Sequence, residues 1–324
     1  MNGVTADWCS DRGICLIRRQ EDALNLMKER VISGIVIGVL AVVLGVAGGP
    51  ALGAVLMVCS MIAYYELTRA FGVVGGEHGR FNALEITGLV ISALYYMALI
   101  YYSMTEVTMK ETDTIFTRGP IDPLPFIDNA DSLAWIAIIL IFLTEMIVFI
   151  VTYPRFETSQ VLASIFSFIY APLMISCVYR AEYLPYGIFV YAMIFFCSWV
   201  SDTCAYLVGR AFGKHKMTPR LSPNKTKEGA VGGIAGSVIL CVAAAGVVSY
   251  LSPGSNVYLP FAILGLFGSI LGMIGDLAAS AIKRSHGIKD YGHIIPGHGG
   301  IMDRFDSVIF TAPAIYLLGM LLLA

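Results

Sequence analysis

Charge is what this chain has least of. Only 14% of its 324 residues are Asp, Glu, Lys or Arg, where an ordinary globular domain carries roughly 25%. The formal net charge of −2 leaves no basic excess, which argues against a nucleic-acid binder. Seven cysteines (Cys9, Cys15, Cys59, Cys177, Cys197, Cys204, Cys241) include no C-x-x-C pair, so neither a zinc site nor a disulfide framework is indicated. There is no G-x-x-x-x-G-K-[ST] phosphate loop. Residues 1–30 mix acids and bases with no apolar run before Val31, so they do not read as a signal peptide. They are expected to form a cytoplasmic segment of unknown role. No internal repeat or low-complexity run is evident.

What the chain has instead is apolar length: 57% of its residues are hydrophobic and the mean hydropathy is +0.76. A spanning helix needs about 20 mostly apolar residues. Nine candidates satisfy this, at roughly 31–48, 51–70, 84–103, 133–153, 160–179, 184–208, 229–251, 258–282 and 305–323. The expected fold is therefore an all-α polytopic integral membrane protein. Gly48-Gly49-Pro50 should make a tight hairpin between the first two spans, and Pro172 should kink or interrupt the fifth. With nine spans, eighteen Lys and Arg fall on the N-terminal side and three on the other. The positive-inside rule then places the N-terminus in the cytoplasm and the C-terminus outside. The chain divides into the 1–30 segment, helices over 31–183, and a catalytic membrane region over 184–324. Loops 209–228 and 283–304 of that region face the cytoplasm, where soluble nucleotides and Mg²⁺ are available.

The chemistry-bearing residues concentrate in that last region. Asp276, Ser280 and Lys283 share one helix face if the eighth span continues through them, with Asp276 about 10 Å deeper than Lys283. A carboxylate at that depth wants a metal or a cation, and a plain packing ion pair would also satisfy it. Beyond it runs His298-Gly299-Gly300, then Asp303-Arg304 and Asp306. Glycines let backbone approach a ligand closely. Asp303 and Asp306 stand at i, i+3 at a helix start, so both can face one ion, and Mg²⁺ suits such carboxylates with phosphate and water. Ordinary N-terminal acids would look the same. Three acids (Asp276, Asp303, Asp306) within one short stretch favour the metal. His298 could serve as acid or base, as a phosphate donor, or as a turn residue.

Two further runs lie upstream. Asp202 and Tyr206 share a helix face ahead of Arg210 and Lys214, and Asp202 sits inside an apolar segment where it needs a partner. Ser222, Lys225 and Lys227 precede a glycine helix entrance, a composition suited to phosphate but equally to a positive-inside loop.

The run S-A-I-K-R-x(4)-K-D-x(5)-P-G-H-G-G-x-x-D-R-x-D, from Ser280 to Asp306, closely resembles the signature of the phosphatidate cytidylyltransferases (CDP-diacylglycerol synthases). S-D-T-x-A-Y-x-x-G-R-x-F-G-K-H-K and L-S-P-N-K-T-K-E-G resemble the same family. The likeness covers roughly residues 30–324 and concentrates in 198–306. It implies transfer of CMP from CTP to phosphatidate of the inner leaflet of the cell membrane, giving CDP-diacylglycerol and pyrophosphate. It also implies Mg²⁺, with room for a second cation. By matching positions, Asp276, Asp303 and Asp306 would be the metal-linked acids. Lys283, Arg284, Lys289 and Arg304 would steady the lipid phosphate or the departing pyrophosphate. Asp202, Tyr206, Arg210, Lys214, Ser222, Lys225, Lys227, Ser280, His298, Gly299 and Gly300 would bind substrate. A homodimer is compatible with a membrane enzyme of this size.

Two other readings compete. A CTP-dependent lipid-alcohol kinase would release CDP in place of pyrophosphate. An ion or lipid transporter would place its charges along a midplane pathway, whereas these cluster in loops. The D-G-x-x-A-R…G-x-x-x-D-x-x-x-D pattern of CDP-alcohol phosphotransferases is absent.

Overall fold

A computed structural model describes residues 34–73, 81–109, 123–219, 221–292, 294 and 299–323. In chain order its elements are α1 (Gly34–Ala47), α2 (Gly49–Ala70), α3 (Ala83–Met109), α4 (Pro123–Thr152), α5 (Thr158–Phe168), α6 (Met174–Ala181), α7 (Gly187–Phe195) and α8 (Ser201–Phe212). There follow β1 (Lys216–Thr218), β2 (Ser222–Thr226), α9 (Lys227–Leu251), α10 (Tyr258–Ser285), α11 (Met302–Phe305) and α12 (Val308–Leu323).

Seven continuous helical stretches are long and apolar enough to cross a membrane, the fourth running Thr158–Ala181 and the fifth Gly187–Phe212. The chain is a polytopic integral membrane protein. The first and ninth expected spans fall on the shorter apolar helices α1 and α12. The sixteen residues of α12 reach only about 24 Å at 1.5 Å each, less than a bilayer core of roughly 30 Å. Among the described residues the count is thus seven full-length helices and two shorter ones, in place of nine equal spans.

Pro172 does interrupt the fifth segment. Ile169–Leu173 is a wide π turn between α5 and α6, and Tyr96 Oη donates to the Pro172 carbonyl at 3.2 Å. A missing N–H and a ring against the preceding turn force such a widening. A second π turn, Phe196–Val200, joins α7 to α8 and ends one residue before Ser201-Asp202. The Gly48-Gly49-Pro50 hairpin forms as expected, with φ of 57° and 53° at the two glycines.

The fold is helical as expected, and the 209–228 segment adds one small hairpin to it. That segment is no open loop: α8 runs to Phe212, and β1 pairs antiparallel with β2, Lys216 facing Thr226 and Thr218 facing Ser222. Thr226 then caps α9, its Oγ1 accepting from Gly229 N at 3.1 Å.

Lipid gives helices little reason to associate by burial alone, so close backbone approach has to hold them. Small residues provide it around α10. A Cβ on Gly275 would come within 2.8 Å of the Asp306 carbonyl, and one on Gly272 within 2.6 Å of Thr311 Oγ1. A Cβ on Gly233 of α9 would likewise come within 2.8 Å of the Ser201 carbonyl of α8. This packing draws α8, α9, α10 and α12 into one bundle and brings Asp202, Asp276 and Asp306 towards a common face.

Candidate active site

Two cavities meet at a pair of carboxylates. The first, about 500 Å³, is lined by Asp202, Tyr206, Arg210, Lys216, Lys225 and Asp276 among others. The first turn of α9, at Gly229 and Ala230, opens onto it. Three cations and a helix N-terminus suit a polyanion. The second, about 380 Å³, is lined by Trp199, Asp202, Asp276, Asp303, Arg304 and Asp306. Asp202 and Asp276 belong to both. An apolar groove between α1 and α2 adjoins the second cavity, sharing Ile37, Trp199 and Arg304 with it.

The three acids of the expected trio do not share one environment. Asp303, on α11, is occupied by its own chain. It takes Lys283 Nζ at 2.8 Å on Oδ1, and Tyr291 N at 2.9 Å and Gly300 N at 3.0 Å on Oδ2. Its side chain is 3% exposed. The Lys283 ammonium also sits over the Tyr291 ring, 5.3 Å from its centre. A carboxylate holding three donors is a strut.

Asp306 is differently placed. The expected single helix breaks between α11 and α12, just after Asp306, and Asp303 and Asp306 both line the second cavity. Asp306 accepts from Ser307 N at 2.8 Å. Burial, and then the Asp276 charge, push its carboxyl above the usual carboxylate range. Asp276 itself pairs with Lys225 of β2. The expected trio of Asp276, Asp303 and Asp306 lines the second cavity together, and Asp202 joins it there.

As placed, no three His, Cys, Asp or Glu side chains among the described residues close around a single point. The donor set still fits a hard divalent cation. Mg²⁺ keeps several waters and takes one or two carboxylates plus phosphate oxygens, so a complete protein cage is not what it requires. Asp202, Asp276 and Asp306 line one cavity, and such an ion would neutralise their charge.

The remaining candidates divide. Tyr206, Arg210 and Lys225 line the first cavity, and Arg304 lines the second. Lys283 works through Asp303. Arg284 and Lys289 are exposed and line neither cavity, and Arg284 instead donates to the Ile288 carbonyl at 3.4 Å. Lys214 meets Glu228 through its backbone N at 3.2 Å, while Ser222, Lys227 and Ser280 stand outside both cavities. Gly299 has φ +87° and leaves no room for a Cβ beside Asp303 Oδ2, at 2.8 Å. His298 lies outside the described residues.

Lys216, one of the 209–228 lysines the sequence pointed to, lines the first cavity. Sequence reasoning missed Trp199 and Glu66. The Glu66 carboxylate, 4% exposed, accepts from Ile301 N at 3.1 Å and Met302 N at 2.8 Å. Its signal was available: an acid inside the otherwise apolar 51–70 segment.

A sequence model of the cytidylyltransferase family matches residues 28–322. A phosphatidate cytidylyltransferase of Staphylococcus aureus (strain COL) is 42% identical over 139 residues, which is 43% of this chain and 50% of the relative. One from Bacillus subtilis (strain 168) is 45% identical over 120 residues, 37% of this chain and 43% of the relative. One from Staphylococcus haemolyticus (strain JCSC1435) is 40% identical over 139 residues, with the same coverage as the first. The chain spans about half the length of the curated relatives it matches.

Proposed function

This chain belongs to the cytidylyltransferase family, and from that premise we propose that it is a CTP:phosphatidate cytidylyltransferase, forming CDP-diacylglycerol and pyrophosphate. The observation that carries the reading is the sharing of Asp202 and Asp276 by two unlike cavities. One is cationic and suits a triphosphate. The other joins an apolar groove through Arg304 and suits a lipid phosphate with its chain.

The reaction asks little of proton transfer. An anionic phosphate oxygen of phosphatidate attacks the α-phosphorus of CTP, and the bond to the β-phosphate oxygen breaks. Positioning and charge neutralisation then supply the rate. Arg210, Lys216 and Lys225 hold the triphosphate, and Arg304 orients the lipid phosphate. Asp303, bound to Lys283, fixes the turn from which Arg304 and Asp306 project. Asp202, Asp276 and Asp306 would hold Mg²⁺, with a second cation accommodated in the same cluster. When bound, that ion would offset charge on the phosphates.

Lys225 meeting Asp276, and Lys283 meeting Asp303, support placing the 209–228 and 283–304 segments on one membrane face. The excess of Lys and Arg there makes that face cytoplasmic.

The test is purified protein in detergent with CTP, phosphatidate and Mg²⁺. CDP-diacylglycerol by mass spectrometry with equimolar pyrophosphate is expected. Release of CDP with a phosphorylated lipid alcohol would replace this reading with the kinase.

A further inference from the structure

We infer that Glu66, from α2, is a positioning residue for the reaction, holding from outside the turn that presents Arg304 and Asp306. The inference rests on the function proposed above.

The strap from Gly299 to Met302 is gripped by two carboxylates. On one side Asp303 accepts from Gly300 N and Tyr291 N. On the other, Glu66 accepts from Ile301 N and Met302 N, reaching across 235 and 236 residues of sequence. Four consecutive or facing backbone donors are thereby committed. Arg304 and Asp306 follow within four residues of Met302, so where the strap sits decides where they sit.

The fit leaves no slack. A Cβ on Gly292 or on Gly300 would overlap the Glu66 carboxylate. Both positions therefore need glycine because of a side chain in the other half of the molecule. Ordinary helix packing does not call for a buried carboxylate at that point, since an apolar side chain would cost less. A carboxylate is called for by two N–H groups that the start of a four-residue helix leaves without intrahelical partners.

The test uses the full-length protein and the isosteric variant Glu66→Gln. Glutamine keeps one acceptor oxygen and turns a donor towards the second N–H, so one of the two bonds is lost. Two readouts are taken. Hydrogen exchange in the 299–305 segment should quicken relative to wild type, with the remaining peptides unchanged. The turnover number should fall about tenfold while KM for CTP stays within about twofold, the pattern of a lost transition-state alignment. Gly300→Ala should be as damaging alone. In Glu66→Ala, where the space opens, Gly300→Ala should add little, giving strong non-additivity.

Unchanged exchange in the strap, unchanged turnover, or simple additivity of the two substitutions would each overturn the inference. Wild-type protein that makes no CDP-diacylglycerol defeats the proposed function instead. The exchange measurement then decides alone whether Glu66 holds the strap.

Discussion

The molecule keeps buried acids in two regions and treats them oppositely. In the N-terminal half, Glu85 is closed in. Arg69 Nε meets it at 2.7 Å, Asn82 N donates to it at 3.0 Å, and its side chain is fully buried. Glu145 Oε1 accepts from Thr87 Oγ1 at 3.0 Å and Ser164 Oγ at 2.9 Å, while its buried Oε2 has no hydrogen-bond partner among the described residues and borders neither cavity. In the C-terminal half, Asp202, Asp276 and Asp306 border cavities, with Lys225 set against Asp276. An acid among apolar helices is therefore not by itself a site. The distinction lies in whether its oxygens are spent on the protein or face open volume. Asp303 combines the two: it lines the second cavity with Asp306, yet it also holds three donors of its own chain.

Substitutions can break this comparison. The largest effect belongs to Asp276→Asn, which should lower turnover by about a thousandfold in folded protein, the scale of losing a group that neutralises transition-state charge. Steady-state pyrophosphate release reads it. Next is Asp303→Asn, which leaves the Lys283 ammonium without its carboxylate. It should destabilise the fold by about 3 kcal/mol, visible as a lowered thermal midpoint in detergent. Glu85→Gln should cost about 2 kcal/mol of stability through Arg69, yet leave turnover per folded molecule unchanged. A turnover defect there would erase the distinction between the halves. Lys225→Ala should raise KM for CTP about tenfold, one charge-assisted contact. The smallest effect is expected from Arg284→Ala and Lys289→Ala, both exposed, which should shift kcat/KM by less than about threefold.

Much of the architecture was legible from hydropathy because apolar length is the dominant constraint on a chain in lipid. The seven long helices fall where apolar runs fall, and the Pro172 interruption follows from a missing N–H. The β1–β2 hairpin was not legible. Ser222-Pro223-Asn224 reads as a loop, and its pairing with Lys216–Thr218 comes from the tertiary setting beside α8 and α9. The acids were found by type, and Asp276, Asp303 and Asp306 do line one cavity. Spacing could not show that Asp303 is also committed to Lys283, Tyr291 N and Gly300 N. Asp202 joins Asp276 only through the close approach of α8, α9 and α10, which one-dimensional spacing does not encode. Glu66 stood out as an acid in an apolar segment, but its role did not, because its partners are backbone N–H groups more than two hundred residues away.

The most direct test of the central claim is a Mg²⁺ titration of CTP-dependent pyrophosphate release, run side by side on Asp306→Asn and Asp303→Asn. Asp306→Asn should keep wild-type thermal stability while its half-saturating Mg²⁺ rises about tenfold or more, as the loss of one carboxylate donor implies. Asp303→Asn should lose stability while the folded fraction retains the wild-type Mg²⁺ midpoint. The reverse pattern, with the metal requirement moved by Asp303→Asn and untouched by Asp306→Asn, would contradict the assignment of Asp202, Asp276 and Asp306 as the reactive cluster.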